Sequence, residues 1–400
     1  MMSGNWQYLP LSEAVDICDN LRYPINSKER NKRISGKAIS ELYPYYGATG
    51  QVGYIDDYIT DGEYVLLGED GAPFLSSFAT KAYIISGKTW VNNHAHVLRS
   101  KTNNRFLCYY LNSFNYKGYV SGTTRLKLTQ ASMKQIPVPV PSLPEQERIV
   151  ARIEELFSEL DKSVETLKKT KAQLAVYRQA VLKEAFDSAQ SSNSKTLTIH
   201  DLLTKTKKGM TTGPFGTMLK KHEHQSSGVP VLGIENIGKD GFINGNKIFV
   251  TNEKAKELSS FKVEPNDLII SRSGTVGEIC IVPSYMKDAL LSTNLMRISL
   301  DFEVIRADYF MYLFKSKGVV IDQVKELCKG STRMFLNQTI LKQILFPVPC
   351  LEVQAKIIEK IESRLSVCDS IEKTVDTALQ EAEAMRQSIL KQAFEGELYA

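Results

Sequence analysis

Residues 135–186 read QIPVPVPSLPEQERIVARIEELFSELDKSVETLKKTKAQLAVYRQAVLKEAF. Residues 343–394 read QILFPVPCLEVQAKIIEKIESRLSVCDSIEKTVDTALQEAEAMRQSILKQAF. The second stretch repeats the Pro-Val-Pro of the first, the Leu and Gln that follow it and the closing Ala-Phe. Each of these residues recurs 208 positions later, the same separation as between the first residues of the two stretches, 135 and 343. Because no insertion separates the copies, duplication of one segment is the economical explanation, and the chain is predicted to contain an internal repeat.

The repeat extends toward the N-terminus of each copy. Gly122-Thr123-Thr124-Arg125 precedes the first constant segment, and Gly330-Ser331-Thr332-Arg333 precedes the second at the same separation. Each repeating unit is therefore a variable block followed by a constant block, which suits a chain of 400 residues that is too long for one ordinary domain. The predicted divisions are a first variable domain at 1–142, a first spacer helix at 143–190, a second variable domain at 195–350 and a second spacer helix at 351–397.

The constant segments are predicted to be long helices, because after their opening prolines no Gly or Pro follows until well past residue 186 in the first copy and until Gly396 in the second. A helix of about 40 residues is about 60 Å long, longer than one domain is wide, so it needs a second helix beside it. The alternative is that each helix only packs on its own domain. We expect the two helices to pair as a coiled coil whose apolar stripes contain Ile149, Ile153, Leu156, Leu160, Val164, Leu167, Leu174, Ile357, Ile361, Leu365, Val375, Leu379 and Ile389.

The two variable blocks share organisation more than identity. Tyr43-Pro44-Tyr45-Tyr46-Gly47 in the first parallels Val229-Pro230-Val231-Leu232-Gly233 in the second, and both lie among short β-rich runs that end at Gly, Asn or Asp. A run rich in Tyr and Phe near the end of each block, 106–111 and 309–314, is typical of a helix. The predicted fold class is therefore α/β, with two mixed α+β domains, two long helices and a pseudo-two-fold internal repeat.

Basic residues cluster once in each variable block, although the formal net charge of +5 is mild for a nucleic-acid-binding protein. Lys and Arg neutralise phosphates, and the paired occurrence favours this role over that of a solvated loop. The residues predicted to contact phosphate are Lys28, Arg30, Lys32, Arg33, Lys37, Thr124, Arg125, Lys205, Lys207, Lys208, Lys220, Lys221, Thr332 and Arg333. The candidates for base reading are Tyr45, Tyr46, Thr49, Gln51, Thr211, Thr212, Phe215, Arg272 and Ser273, of which the tyrosines and Phe215 are equally typical of a core.

Signals of catalysis fail on inspection. Ser86-Gly87-Lys88-Thr89 resembles the end of a phosphate-binding loop, but Ala82 stands where the first Gly is required, and a hairpin turn is the better interpretation. His94-Ala95-His96 and His222-Glu223-His224 lack an evident third metal ligand, and the six cysteines form no CxxC pair. The Asn/Asp-Pro-Pro-Tyr/Phe motif of an adenine methyltransferase is absent as well. The chain is thus predicted to be non-catalytic, with no metal or cofactor of its own.

The order of variable domain, constant helix, second variable domain and second constant helix resembles the specificity subunit of type I restriction-modification systems. The motifs that carry the resemblance are Pro-Val-Pro-x-Leu-x-x-Gln at the start of each helix and Ala-Phe at its end. The segments at 43–50 and 268–274 also look like target-recognition segments of that family. The resemblance covers essentially the whole chain.

This resemblance implies that each variable domain reads one half of a bipartite asymmetric site in double-stranded DNA. It also implies that the two helices form an antiparallel coiled-coil spacer, which fixes the separation of the two halves. It implies two methyltransferase subunits and restriction subunits with translocase activity as partners, which bind S-adenosylmethionine and ATP and perform adenine N6 methylation or cleavage. Neither a signal peptide nor a membrane span is evident, so a cytoplasmic location is expected. Two alternatives stay open: a duplicated coiled-coil protein-interaction scaffold, and a self-sufficient DNA methyltransferase.

Overall fold

The computed structural model describes residues 6–191, 194–215, 217–239, 241–272, 278–327, 336–396 and 398. It divides into two compact units, Met1–Lys169 with Val375–Ala400, and Thr170–Thr374. Each unit therefore contains one variable domain together with part of each long helix, a division that differs from the linear order of domains and spacers. Within the described residues, no helix is long and apolar enough to cross a membrane.

The described residues of the first unit form short strands, short helices and the first part of a long helix. In chain order these are β1 Tyr8–Pro10, α1 Leu11–Ala14, β2 Val15–Ile17, α2 Ser27–Ile34, β3 Tyr43–Gly47, β4 Gly50–Ile55, β5 Thr60–Asp61, β6 Tyr64–Gly68, β7 Ala82–Ile85, β8 Lys88–Val91, β9 Ala95–Ser100, α3 Asn104–Ser113, α4 Gln130–Lys134, β10 Pro137–Pro139 and α5 Leu143–Ser191. The helix α5 continues into the second unit.

The second unit follows the same plan. Its elements are β11 Lys195–Thr198, α6 Ile199–Leu202, β12 Met210–Thr212, β13 Val229–Leu232, β14 Ile237–Gly238, β15 Gly241–Phe242, β16 Ile248–Val250, α7 Asn252–Glu257, β17 Lys262–Val263, β18 Leu268–Ser271, β19 Ile279–Ile281, β20 Ala289–Leu291, β21 Leu295–Ile298, α8 Ala307–Lys315, α9 Asp322–Leu327, α10 Gln338–Leu341, β22 Leu345–Val348 and α11 Leu351–Glu395. The last part of α11 belongs to the first unit.

Strand order shows that the two units are copies of one fold. The first has sheets β2-β9-β6-β7 and β4-β3-β8-β5, and the second has β12-β21-β18-β19 and β16-β13-β20-β17. Among the described residues, each unit has one parallel strand pair, and it falls at the equivalent place: Tyr45 lies opposite Trp90 in one unit and Val231 opposite Leu290 in the other. The predicted internal repeat, the mixed α/β class and the two long helices are confirmed.

A central strand of each unit is buried on both faces. In β6, Val65 and Leu67 face the cluster that contains α3, whereas Leu66 faces a second cluster shared with Val91 of the other sheet. In β18, alternate residues divide between two clusters in the same way. Burial on both faces explains why these strands read as continuous apolar runs in the sequence.

The turn at Ser86-Gly87 is not a β-hairpin, contrary to the prediction. The strand β7 before it pairs with β6, whereas β8 after it pairs with β3 and β5 in the other sheet. Gly87 has a φ of +69°, so the turn uses the left-handed region that glycine reaches without strain. The turn therefore connects two sheets, a distinction that alternation of apolar residues cannot make.

The long helices complete the core of both units with their ends. In the first unit the core contains Ile149 and Ile153 of α5 together with Ile389 and Phe394 of α11. In the second it contains Leu182, Ala185 and Phe186 of α5 together with Ile358 and Ile361 of α11. The residues at the two ends of the predicted apolar stripes thus pack on the domains, and Leu156, Ile357 and Leu365 do so as well. Along the middle of the helices the stripe residues are half-buried or buried. The half-buried ones are Leu160, Val164, Leu167 and Leu379, and the buried ones are Leu174 and Val375.

Side-chain contacts show that α5 and α11 run antiparallel within each unit. In the first unit Arg386 pairs with Asp161, and its guanidinium lies 4.4 Å from the ring centre of Phe157. In the second, Arg178 pairs with Asp369 at 2.5 Å and Arg364 pairs with Glu184 at 2.6 Å. Later residues of one helix meet earlier residues of the other, as the predicted antiparallel pairing requires.

The repeated Gln at the start of each long helix has a structural role. Gln354 is fully buried; its Nε2 donates to the carbonyl oxygens of Pro349 and Val304, and its Oε1 accepts from the N–H of Arg306. Gln146 makes the matching contacts with the Pro141 carbonyl and the Thr102 hydroxyl. Each Gln therefore joins the proline segment to the loop before α3 or α8, which explains its place in the repeat.

Candidate nucleic-acid interface

The basic cluster of the first unit lies on and after the short helix α2. Asn26 caps this helix by accepting the N–H of Glu29 at 2.8 Å, Glu29 lies in the first turn, and Lys32 and Arg33 lie in the last. Both charge positions suit the helix dipole. Capping residue and charge order therefore explain why this basic segment is helical.

Only part of this cluster is available to a ligand. Arg33 and Lys37 both pair with Asp56, at 2.6 Å and 2.7 Å, and their hydrogen bonds, that of Lys37 first, lower the pKa of this carboxyl. The guanidinium of Arg30 lies 4.8 Å from the ring centre of Tyr45. Lys28 and Lys32 are exposed. Among these predicted phosphate contacts the structure therefore favours Lys28 and Lys32 over the three partnered residues.

An open cleft of about 700 Å³ brings together predicted residues from distant parts of the sequence. Thr49 of the β3–β4 turn lines it on one side, and Thr124 and Arg125 of the repeated Gly-Thr-Thr-Arg turn line it on another. His94 and the exposed Val52 also line it, although the sequence offered no reason to place them there. Gln51, also predicted, is exposed next to this cleft in β4.

The Gly-Thr-Thr-Arg turn has a defined local cause. Ser121 and Lys127 exchange backbone hydrogen bonds of 3.0 Å and 2.8 Å, which close the loop between them. Gly122 has a φ of +101°, and a Cβ atom there would lie 2.4 Å from the carbonyl oxygen of Arg125. A glycine is thus required at this position. Nε of Arg125 pairs with Asp70 at 2.7 Å, while 58% of the side chain stays exposed.

The two tyrosines proposed for base reading are placed differently. Tyr45 is 4% exposed and packs with Ile55 and Trp90, so it has no free face for a base and is corrected to a core residue. Tyr46 is half-buried, with its ring centre 5.8 Å from that of Tyr83, and burial raises its pKa. The exposed Thr49 and Gln51 remain the base-reading candidates of this unit.

Several candidates of the second unit are engaged within the fold. Lys207 pairs with Glu264 and, at 3.2 Å, with the buried Asp267. Thr211 is 3% exposed and accepts a hydrogen bond from Arg297. Burial removes Thr211 from the base-reading candidates. Lys207 is half-buried and held by two carboxylates, so it is corrected to a structural role.

Thr212 and Arg272 occupy intermediate positions. The hydroxyl of Thr212 accepts from Gln338 at 3.0 Å, and Nη1 of Arg272 donates to the carbonyl of Thr293 at 3.3 Å. Burial lowers the pKa of Arg272. Both side chains are half-buried, so a base contact there requires a groove edge to approach closely.

The exposed candidates of the second unit are Lys205, Lys208, Phe215, Lys220 and Lys221. Phe215 is 65% exposed, which removes it from the core and leaves a ring face open to stacking. Ser273, Thr332 and Arg333 lie outside the described residues.

The histidine pairs do not assemble a metal site. Within the described part of the chain, no group of three His, Cys, Asp or Glu side chains is arranged to hold a metal ion. His94 lines the cleft, whereas His96 is fully buried. Strand β9 begins at Ala95, so His96 belongs to the strand and His94 to the loop before it. The two histidines therefore lie in different environments although they are only two residues apart.

His96 belongs to a buried polar network that sequence reasoning missed. Its Nδ1 lies 2.8 Å from Asp19 Oδ2, and its Nε2 lies 3.1 Å from the carbonyl oxygen of Leu128. Asp19 also accepts from the N–H of Val97 and from Gln130, and pairs with Arg22 at 3.1 Å. Residues so far apart in the chain leave no local pattern, so spacing could not have revealed this network.

Asp19 makes the first unit sensitive to acid. Burial by itself raises the pKa of Asp19, but the hydrogen bond and charge of His96, with hydrogen bonds from Val97 and Gln130, bring it down to about 2. The folded pKa lies below the unfolded value, so the contribution to stability is present above pH about 4 and is lost as the pH falls toward 2. We expect this loss to be roughly 2 kcal/mol in the free energy of unfolding.

The measurement is hydrogen exchange in β6 between pH 5 and pH 2, for the native chain and for Asp19→Asn. Asn cannot ionise, so the variant should be less stable at pH 5 and lose less stability on acidification. Parallel losses in the two proteins would show that Asp19 does not carry the effect.

Comparison with known proteins places this fold in a family. The family model described as the type I restriction modification DNA specificity domain matches residues 4–174 and again residues 192–381. A putative type I restriction enzyme specificity subunit of Haemophilus influenzae is 28% identical over 390 residues, which cover 94% of this chain and 92% of that protein. The EcoBI specificity subunit of Escherichia coli is 23% identical, over 99% of this chain and 87% of that protein.

Solved structures share the fold. A chain from the type I R-M system aligns with a TM-score of 0.68 at 16% identity, covering 98% of both chains. The HsdS subunit of Thermoanaerobacter tengcongensis aligns with a TM-score of 0.51 at 14% identity over the full length of both. Since the family model matches most of the sequence, once in each variable domain with its helix, the chain belongs to the family of type I restriction-modification specificity subunits and has two target-recognition domains.

Proposed function

We propose that this chain is the non-catalytic DNA-reading subunit of a type I restriction-modification complex, in which each target-recognition domain reads one half of a bipartite asymmetric site. The observation that carries the proposal is the duplication of one domain with a changed surface. The strand order is shared, but the exposed candidates differ. They are Lys28, Lys32 and the cleft in one copy, and Lys205, Lys208, Phe215, Lys220 and Lys221 in the other. Two copies of one scaffold with different surfaces suit two different half-sites.

Exposed lysines and glycine-bounded turns supply contacts to phosphate, which fix orientation and carry no sequence information. Base reading requires side chains at a groove edge, for which Thr49, Gln51 and Phe215 are placed on exposed turns and strand ends. We therefore assign the exposed lysines, Thr124 and Arg125 to contacts with the DNA phosphate backbone. The exposed residues Thr49, Gln51 and Phe215 are assigned to contacts with the bases.

The proposed partners are two methyltransferase subunits and restriction subunits with translocase activity, acting in the cytoplasm where the DNA lies. S-adenosylmethionine and ATP bind these partners, which methylate adenine at N6 or cleave the unmethylated site. The antiparallel helices provide a docking surface and a spacer of defined length. A change in spacer length should alter the unread gap between the half-sites.

The test is to co-express the chain with its cognate methyltransferase subunit in a host that lacks this activity and to map N6-methyladenine across the genome. We expect one split motif with a constant gap. Replacing residues 195–350 by the matching domain of another specificity subunit should change one half of the motif and preserve the other.

A stable complex that methylates no site would contradict the proposal and favour the protein-interaction scaffold, an alternative that the family match does not favour. Methylation by the purified chain with methyl donor alone would contradict the non-catalytic assignment. The two outcomes are separable because the first requires the partner and the second excludes it.

A further inference from the structure

The segment that follows the Gly-Thr-Thr-Arg turn is fastened to the fold by a polar network. The N–H of Leu128 donates to the Glu69 carbonyl at 2.8 Å, and the carbonyl of Leu128 lies 3.1 Å from Nε2 of His96. Gln130, two residues on, donates to Asp19 at 2.9 Å. The backbone is therefore held through both the N–H and the carbonyl oxygen of Leu128, three residues after Arg125, and the chain is held again at the side chain of Gln130.

His96 is the centre of this network. Both of its ring nitrogens lie within hydrogen-bonding distance of oxygen atoms, those of the Asp19 carboxylate and the Leu128 carbonyl, so the ring links these two groups. The ring is fully buried, and Arg22 extends the network outward to Glu69, whose other oxygen pairs with Lys127 at 3.4 Å. A chain of charged groups thus runs from the core to the residue two positions after Arg125.

The second domain shows that the fold does not need a histidine here. His96 stands opposite Leu67 in the β6–β9 ladder, and Met296 stands opposite Ile270 in the equivalent β18–β21 ladder. Equivalent backbone hydrogen bonds show that the two ladders have the same register. The N–H of Glu69 donates to the carbonyl of His94 in one, and the N–H of Arg272 donates to the carbonyl of Asn294 in the other. Met296 is fully buried in an apolar core.

Buried ionic groups are weak contributors to stability compared with apolar groups of similar volume. A methionine at the same position of the duplicated domain satisfies packing, whereas the first domain keeps a buried ionic network that ends at the turn. The difference between the copies therefore points to a role in placing that turn, since the shared core does not require it.

We propose that Asp19 and His96 form a positioning site that holds the 126–130 segment and thereby presents Arg125 and Thr124 to the phosphate backbone of one DNA half-site. The inference rests on the proposed function. Asp19 and His96 touch no DNA themselves; they act through the loop that carries Arg125.

The experiment compares His96→Met, Arg125→Ala and the double variant in the full complex, on a duplex that carries the mapped site. Affinity is measured as a function of salt concentration. The slope of log K against log salt is negative, and loss of one phosphate contact lowers its magnitude by about 0.9. We expect His96→Met and Arg125→Ala each to weaken binding on the order of tenfold and to lower the slope by about one contact.

The double variant should bind no more weakly than Arg125→Ala, because both changes remove the same contact. Ile85→Val is the matched control: Ile85 is buried in the same sheet, in β7, and this change should leave affinity and slope unaltered. Gln130→Ala serves as a second variant, since Gln130 is half-buried and its loss should weaken binding in the same direction if His96→Met does not fold.

Additive losses in the double variant, or an unchanged slope for His96→Met and Gln130→Ala, would overturn the positioning role. Failure of the native complex to bind the duplex would instead overturn the proposed function. Loss of affinity in Arg125→Ala alone would keep the phosphate assignment and reject the role of His96.

Discussion

Phe394→Ala is expected to lower the free energy of unfolding of the first unit by about 3–5 kcal/mol, although residue 394 lies far from that domain in the sequence. Its ring centre lies 5.3 Å from those of Phe106 and Tyr110, and it belongs to the apolar core of the unit. Truncation to Ala removes these ring contacts and leaves a cavity beside the Phe106 and Tyr110 side chains of α3. The end of α11 is thus part of the first domain's core.

Phe186→Ala is the matched variant, because Phe186 takes the same repeat position and is buried against Tyr309 in the second unit, with ring centres 5.5 Å apart. Hydrogen exchange in β6 and β18 reports the two units separately. Phe394→Ala should reduce protection mainly in β6 and Phe186→Ala mainly in β18. If each variant reduced protection equally in both strands, the two units would not be separate unfolding units and the prediction would fail.

The repeat and the long helices could be predicted because their signals are short-range or exact. Opening prolines, the absence of Gly and Pro, and apolar spacing indicate a helix without knowledge of tertiary structure. The constant separation of 208 residues, residue 343 against residue 135, identified the duplicated unit without any contact information. The structure then explains why Ala-Phe closes both copies of the repeat, because Phe186 and Phe394 lie in the cores of the two units.

Strand pairing and charge pairing could not be predicted from the same signals. Tyr45 is buried because β3 pairs in parallel with β8, about 45 residues later in the chain, as Tyr45 lies opposite Trp90. Arg33 lies within a basic run but is neutralised by Asp56, which belongs to the loop after β4. Both outcomes depend on contacts between distant segments, and local composition contains no record of them.

The exposed lysines of the second unit should carry a large share of the affinity for DNA. Replacing Lys205, Lys208, Lys220 and Lys221 together by Ala is expected to weaken binding on the order of a hundredfold or more at 0.15 M salt. Each lysine that neutralises a phosphate contributes about 0.9 to the slope of log K against log salt, so the slope should fall by about 3 to 4. The measurement is a salt titration of binding in the complex with the methyltransferase subunit.

Lys207→Ala is the matched control within the same segment. Lys207 lies between Lys205 and Lys208 in the sequence, but it pairs with Glu264 and Asp267, and its hydrogen bond lowers the pKa of Glu264. Its removal leaves the buried Asp267 without this partner, so the variant should lose stability while the salt slope stays unchanged. A slope that falls by about one in Lys207→Ala, or one that is unmoved in the fourfold variant, would reverse the assignment of phosphate contacts in this domain.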